Sequence, residues 1–95
     1  MSTEASAVGP EQVPPATLAF LIQTLASQAM LALGVMPNPL TQKTEKNLPL
    51  AKHFIDMLDV LEAKTEGNRT PEESALLRSM THQLRMGYVE MQKTS

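Results

Sequence analysis

The sequence predicts an all-α protein of three helices, in which helices 2 and 3 form an antiparallel hairpin packed on an apolar helix 1. Three observations predict this class. Apolar residues recur at helical spacing in three segments, turn and capping residues separate those segments, and a length of 95 residues allows one domain. We expect homo-oligomerisation to complete the structure, because a chain this short has little interior of its own.

Helix 1 is predicted from about Pro15 to Leu33. Two consecutive prolines suit its entry, and Gly34 suits its exit because glycine readily adopts the left-handed conformation of a helix C-terminus. Residues 1–14 are mostly small and polar and include two prolines, so we expect a disordered N-terminal arm. The predicted three-helix domain then occupies residues 15–93.

Helix 2 is predicted to begin after Asn47, a preferred N-cap residue, and to continue to about Glu66. Helix 3 opens with the capping-box sequence TPEE at residues 70–73 and runs to about Gln92. Only three residues separate these two helices, which favours an antiparallel hairpin. Residues 34–47 form a long connection for a helical bundle, either an ordered crossover or a functional loop.

Helical spacing also predicts which side chains are buried. On helix 1 they are Leu18, Leu21, Ile22, Leu25, Ala29 and Leu33. On helix 2 they are Leu50, Phe54, Met57, Leu58 and Leu61, with Ala51 and Ile55 at the edge. On helix 3 they are Leu76, Leu77, Met80, Leu84, Tyr88 and Met91. Gly87 falls within that last stripe and predicts a close approach by the backbone of another helix. Leu40 in the connection is expected to pack against the core.

A second apolar seam on helix 1 consists of Phe20, Thr24, Ser27 and Leu31. Its spacing of four, three and four residues is typical of a helix–helix contact. Burying Phe20 and Leu31 from two chains contributes several kcal/mol, at about 1.5–3 kcal/mol for each large side chain. Association costs about 4–15 kcal/mol, so the seam alone predicts a weak dimer. An obligate dimer would also use the main stripe of helix 1.

Composition argues against several classes of function. The formal net charge is −2, and the eight basic side chains are scattered, which argues against a nucleic-acid partner. Aromatic residues make up only 3% of the chain, so there is little surface for stacking bases or sugars. The chain has no cysteine, which excludes disulfides and suits a cytoplasmic location. No Lys or Arg precedes position 43, unlike the start of a secretory signal peptide.

Two alternatives to a soluble interaction protein stay open. No charged side chain occurs between Gln12 and Gln42, so helix 1 could attach the protein to a membrane, although its glutamines, threonines and serine are costly in lipid. The protein could instead be a small metal-dependent enzyme. Its candidate ligands His53, Asp56 and Asp59 are spaced by three residues on one flank of helix 2, and His82 on helix 3 is a further candidate. We expect a solvated surface there and no catalytic site, metal or cofactor.

Long stretches of the chain resemble a known family. They are LALGVMPNP, NLPLAKHFIDMLDVLEAKTEGNRTPEESALL and LRMGYVEM. Together they make residues 17–92 similar to the bacterial domain-of-unknown-function family 1844. The resemblance implies a small helical bacterial protein and carries no activity with it. From the residues themselves we expect a non-enzymatic cytoplasmic protein, most simply a homodimer, that acts by binding an unknown protein partner.

Overall fold

The computed structural model describes residues 13–93, which form three helices and no strand: α1 (Leu18–Leu33), α2 (Leu48–Lys64) and α3 (Pro71–Lys93). Each helix packs against the other two. The end of α1 meets the start of α2, where the Asn47 N–H donates to the Ala32 carbonyl at 2.7 Å. The predicted all-α class of three mutually packed helices is confirmed. The predicted N-terminal arm lies outside the described residues except for positions 13 and 14.

The boundaries of α1 follow from its capping residues. The helix begins at Leu18, three residues later than predicted, because Thr17 and not a proline caps it. The Thr17 hydroxyl oxygen accepts a hydrogen bond from the Phe20 N–H at 3.0 Å. At the other end Gly34 adopts the predicted left-handed conformation with φ of 81°, and its N–H donates to the carbonyl of Leu31 at 3.1 Å.

The predicted caps of the hairpin are also present. The Asn47 side chain accepts from the Leu50 N–H at 3.2 Å. Helix α2 ends at Lys64, two residues early, because Thr65 is its C-cap. At the start of α3 the Thr70 N–H donates to the Glu73 carboxylate at 2.9 Å, and the Glu73 N–H donates to the Thr70 hydroxyl oxygen at 3.1 Å. These reciprocal bonds confirm the capping box.

The core combines small and large apolar side chains from all three helices. Among the described residues, the buried apolar side chains are Ile22, Ala26, Ala29, Ala32, Leu33, Ala51, Ile55, Leu58, Leu77 and Leu84. The prediction was wrong for Leu21, Leu50 and Met57, which are exposed. Four of the ten buried apolar residues are alanines, whereas these three longer side chains lie outside the core.

Helix α3 contributes Leu77 and Leu84 to the core, as predicted. Thr81, between them in sequence, is also buried. Its hydroxyl donates to the Leu77 carbonyl at 2.7 Å, so this buried polar group is hydrogen-bonded. A Cβ at Gly87 would lie 3.3 Å from Cδ1 of Leu33. Helix α1 does approach Gly87 closely, but through the side chain of its last residue, so the predicted approach by the backbone of another helix was wrong.

The connection between α1 and α2 contains a closed turn. The Asn38 side chain accepts from the Leu40 N–H at 2.8 Å, and the Asn38 N–H donates to the Lys43 carbonyl at 2.9 Å. Leu40 sits in this turn with 92% of its surface exposed, so the expectation that it packs on the core was wrong. The Lys46 ammonium donates to the Met91 carbonyl of α3 at 2.9 Å, which fastens the end of the connection.

Candidate functional site

The outer face of α1 carries the predicted self-association seam. Phe20 is 43% exposed, Thr24 and Ser27 are exposed, and Leu31 is partly exposed. A shallow groove of about 310 Å³ runs along Phe20, Thr24 and Ser27, flanked by two glutamines. The Thr24 hydroxyl donates to the Phe20 carbonyl at 2.8 Å, so it has a partner within the helix. The seam is therefore a largely exposed surface whose side chains carry no charge.

A second groove lies between the start of α1 and the end of α2. It has a volume of about 320 Å³, and its lining residues are Leu21, Leu25, Met57, Val60, Leu61 and Lys64. Sequence reasoning missed this groove because it assigned Leu21 and Met57 to the core. Both helices contain more large apolar residues than a single helix–helix contact can bury. That excess could have predicted an exposed apolar groove. Among the described residues that line the groove, Lys64 alone carries a charge.

A smaller cavity of about 180 Å³ lies at the opposite end of the same surface. Its lining residues are Gln28, Leu31, Ala32, Asn38, Glu45, Asn47 and Leu50. We call the whole surface the α1–α2 face and define it by its large apolar side chains: Phe20, Leu21, Leu31, Leu50, Met57 and Val60. The connection that carries Leu40 borders this face through Asn38 and Glu45. Glu45 and Lys64 thus mark opposite ends of the α1–α2 face.

The candidate metal ligands on α2 are engaged in other contacts. Asp56 pairs with Lys52 at 2.9 Å, and Asp59 pairs with Arg85 of α3. The His53 ring lies edge-on to Phe54, with 5.7 Å between ring centroids. Within residues 13–93, no three histidine or acidic side chains converge to hold a metal ion.

His82 is exposed on α3. It lines a shallow groove of about 370 Å³ with Arg85, Met86, Val89, Glu90 and Lys93. Among the described residues, His82 joins no group of three histidine or acidic side chains that could hold a metal ion.

The pKa of Lys52 is raised above its ordinary value of 10.5. The main cause is the hydrogen bond that its ammonium donates to Asp56, and the attraction of that carboxylate for the positive charge adds to it. Because Lys52 and Asp56 are both exposed, solvent screens their attraction, and the pair contributes little to the stability of the fold.

The length and apolar character of the helices test whether one of them could span a membrane. Among the described residues, no helix combines the length and the apolar character needed to cross a bilayer. Attachment of α1 to a membrane surface stays a prediction.

Similarity to known proteins defines the family. The family described as Domain of unknown function (DUF1844) matches residues 15–90. The chain belongs to this family. The match covers all of α1 and α2 and most of α3, so this DUF1844 domain comprises the three packed helices and the connection that carries Leu40. No curated protein and no solved structure shows significant similarity to the chain.

Proposed function

We propose that this DUF1844 protein is a non-enzymatic, cytoplasmic interaction protein that associates with a second copy of itself and binds another protein. One observation carries the proposal. The outer face of α1 leaves Phe20 and Leu31 partly or largely exposed, and its neighbouring side chains are uncharged. Exposed apolar surface gains free energy when a partner removes it from water.

The free energy gained by burying Phe20 and Leu31 is small enough to make the association of two chains reversible. Full burial of each large apolar side chain contributes about 1.5–3 kcal/mol, and Phe20 and Leu31 are already partly covered. The gain from the seam alone is therefore comparable with, or smaller than, the association cost of about 4–15 kcal/mol. Tight association requires more of the α1–α2 face than the predicted seam.

Sedimentation velocity over a range of protein concentrations tests the self-association. The wild-type chain is expected to form dimers. The double variant Phe20→Glu, Leu31→Glu is expected to weaken dimerisation at least about tenfold, since each tenfold change needs only about 1.4 kcal/mol. Met86→Glu is the matched control, because Met86 is 60% exposed on α3. Circular dichroism checks that all variants stay helical. A wild-type monomer, or equal weakening by the control, would contradict the proposal.

Partner binding is tested by capture from cells that express the protein. The wild-type chain and Met86→Glu are expected to retain the same partner, and Phe20→Glu, Leu31→Glu is expected to lose it. Flotation with lipid vesicles is the parallel measurement for surface attachment of α1. Flotation that depends on Phe20 and Leu31, without dimer formation, would favour the membrane alternative.

A further inference from the structure

We propose that two copies of the chain pair through the α1–α2 face in an antiparallel, two-fold arrangement, with Leu40 of each copy inserted into the apolar groove of the other. This inference rests on the proposed self-association and specifies its geometry. Four features carry it: the presentation of Leu40, the position of the groove, the charges at the two ends, and the area available.

Leu40 is held in a defined position although almost all of its surface is exposed. Its own N–H is fixed by the Asn38 side chain, and the turn is closed by a bond from the Gln42 N–H to the Asn38 carbonyl at 2.6 Å. A side chain on a turn that is already closed loses less freedom on binding than one on an open loop. Leu40 therefore has the properties of an apolar anchor for a pocket.

The groove that can receive Leu40 lies at the far end of the α1–α2 face. Leu21 and Val60 line it near the start of α1 and the end of α2, whereas the Leu40 turn adjoins the end of α1. Its volume of about 320 Å³ is large enough for a leucine side chain. A two-fold axis perpendicular to the helices places the turn of each copy over the groove of the other, as an isologous interface requires.

The charges at the two ends favour the same arrangement. Glu45 lines the cavity beside Leu31, and Lys64 lines the apolar groove. Antiparallel pairing brings Glu45 of each copy near Lys64 of the other. Parallel pairing would bring Glu45 near its own equivalent and Lys64 near its own equivalent, and like charges at an interface are unfavourable.

The area of exposed apolar surface also supports a second copy as the occupant. The exposed parts of Phe20, Leu21, Leu40, Leu50, Met57 and Val60 amount to roughly 560 Å² per copy and about 1,100 Å² per pair, just above the roughly 1,000 Å² that a specific protein interface needs. About a quarter of this area belongs to Leu40. Without Leu40 inserted, the face falls below that limit.

Cysteine cross-linking tests the geometry, and the chain has no cysteine of its own to interfere. Leu40→Cys and Val60→Cys are made as separate proteins, mixed in equal amounts and oxidised mildly. The antiparallel pair predicts a disulfide-linked product that contains one copy of each variant. It predicts little product from either variant alone, because a disulfide needs Cβ atoms within about 3.5–4.5 Å.

Charge reversal is the second arm. Glu45→Lys and Lys64→Glu are each expected to weaken dimerisation about two- to fivefold, and the double variant is expected to restore it, as for an exposed ion pair. Cross-linking of Leu40→Cys with itself, or no product from the mixture while the wild-type chain is dimeric, would overturn the antiparallel geometry and leave self-association intact. A wild-type monomer in sedimentation would overturn both.

Discussion

The contact between α1 and α2 and the contact between α2 and α3 are held by different chemistry. Helices α1 and α2 bury three alanines and one alanine respectively, beside larger apolar residues, and they leave other large apolar side chains exposed. The second is a hairpin joined at its turn by Arg69, which donates to the Glu62 carbonyl, the Thr65 hydroxyl oxygen at 3.0 Å and the Ser74 hydroxyl oxygen at 3.0 Å. An ion pair from Asp59 to Arg85 spans the same two helices.

The two contacts therefore differ in how fully they satisfy their residues. The α2–α3 turn pairs its polar groups, whereas α1 and α2 leave large apolar side chains exposed to solvent. Polar groups at the α2–α3 turn find their partners within the chain, so the hairpin is specified by its own sequence. The α1–α2 contact buries small side chains well and leaves Leu21, Met57 and Val60 exposed. We therefore expect the hairpin to determine the fold and the α1–α2 face to determine association.

The largest expected effect comes from enlarging an alanine at the α1–α2 contact. Ala29 is fully buried, so Ala29→Leu forces α1 away from its neighbours and is expected to lower the free energy of unfolding by about 1–3 kcal/mol. Urea denaturation at one fixed protein concentration measures this loss. Ala75→Leu, at an exposed position of α3, is the control and is expected to change little. An unchanged unfolding midpoint for Ala29→Leu would show that the alanine contact is not tightly packed.

Removal of the arginine at the α2–α3 turn is expected to have a smaller effect. Arg69→Ala removes three hydrogen bonds and should lower the free energy of unfolding by about 1–2 kcal/mol, since its partners are only partly buried. Urea denaturation measures the change, and Arg78→Ala, at an exposed site on α3, is the comparison. The dimerisation constant of Arg69→Ala should match that of the wild-type chain. A weaker dimer with normal stability would contradict the division of roles between the two contacts.

The smallest expected effect belongs to the exposed pair of Lys52 and Asp56. The pKa of Lys52 is raised in the folded chain, so the contribution of the pair is complete below the unfolded-state pKa and is lost as pH rises through the folded-state pKa. Lys52→Met should not change the melting temperature measurably at pH 7, and any small difference should vanish once pH has risen through the folded-state pKa of Lys52. A clear loss at pH 7 would indicate that this pair supports the hairpin.

The helix boundaries could be predicted because they depend on local chemistry. Gly34, Asn47 and the reciprocal pair of Thr70 with Glu73 each act within a few residues of the chain, and all three signals were read correctly. The start of α1 was predicted three residues too early. The two prolines suggested the beginning of the helix, but the hydroxyl oxygen of Thr17 is the N-cap.

The candidate site could be predicted only in part. Phe20 and its neighbours lie outside the buried stripe of α1, so helical spacing identifies them. The groove around Leu21 and Met57 could not be found in this way, because hydropathy ranks leucine and methionine above alanine for burial. Close helix packing reverses that order at Ala29 and Ala51. The exposure of Leu40 depends on side-chain bonds of Asn38, which apolar periodicity does not describe.

The alanine-rich core has a thermodynamic consequence. Alanine exposes less hydrocarbon on unfolding than leucine does, and hydrocarbon hydration dominates the heat-capacity change of unfolding. An isolated chain should therefore have a small heat-capacity change for its length and a shallow curve of stability against temperature. Its folding should weaken less on cooling than that of a leucine-rich bundle.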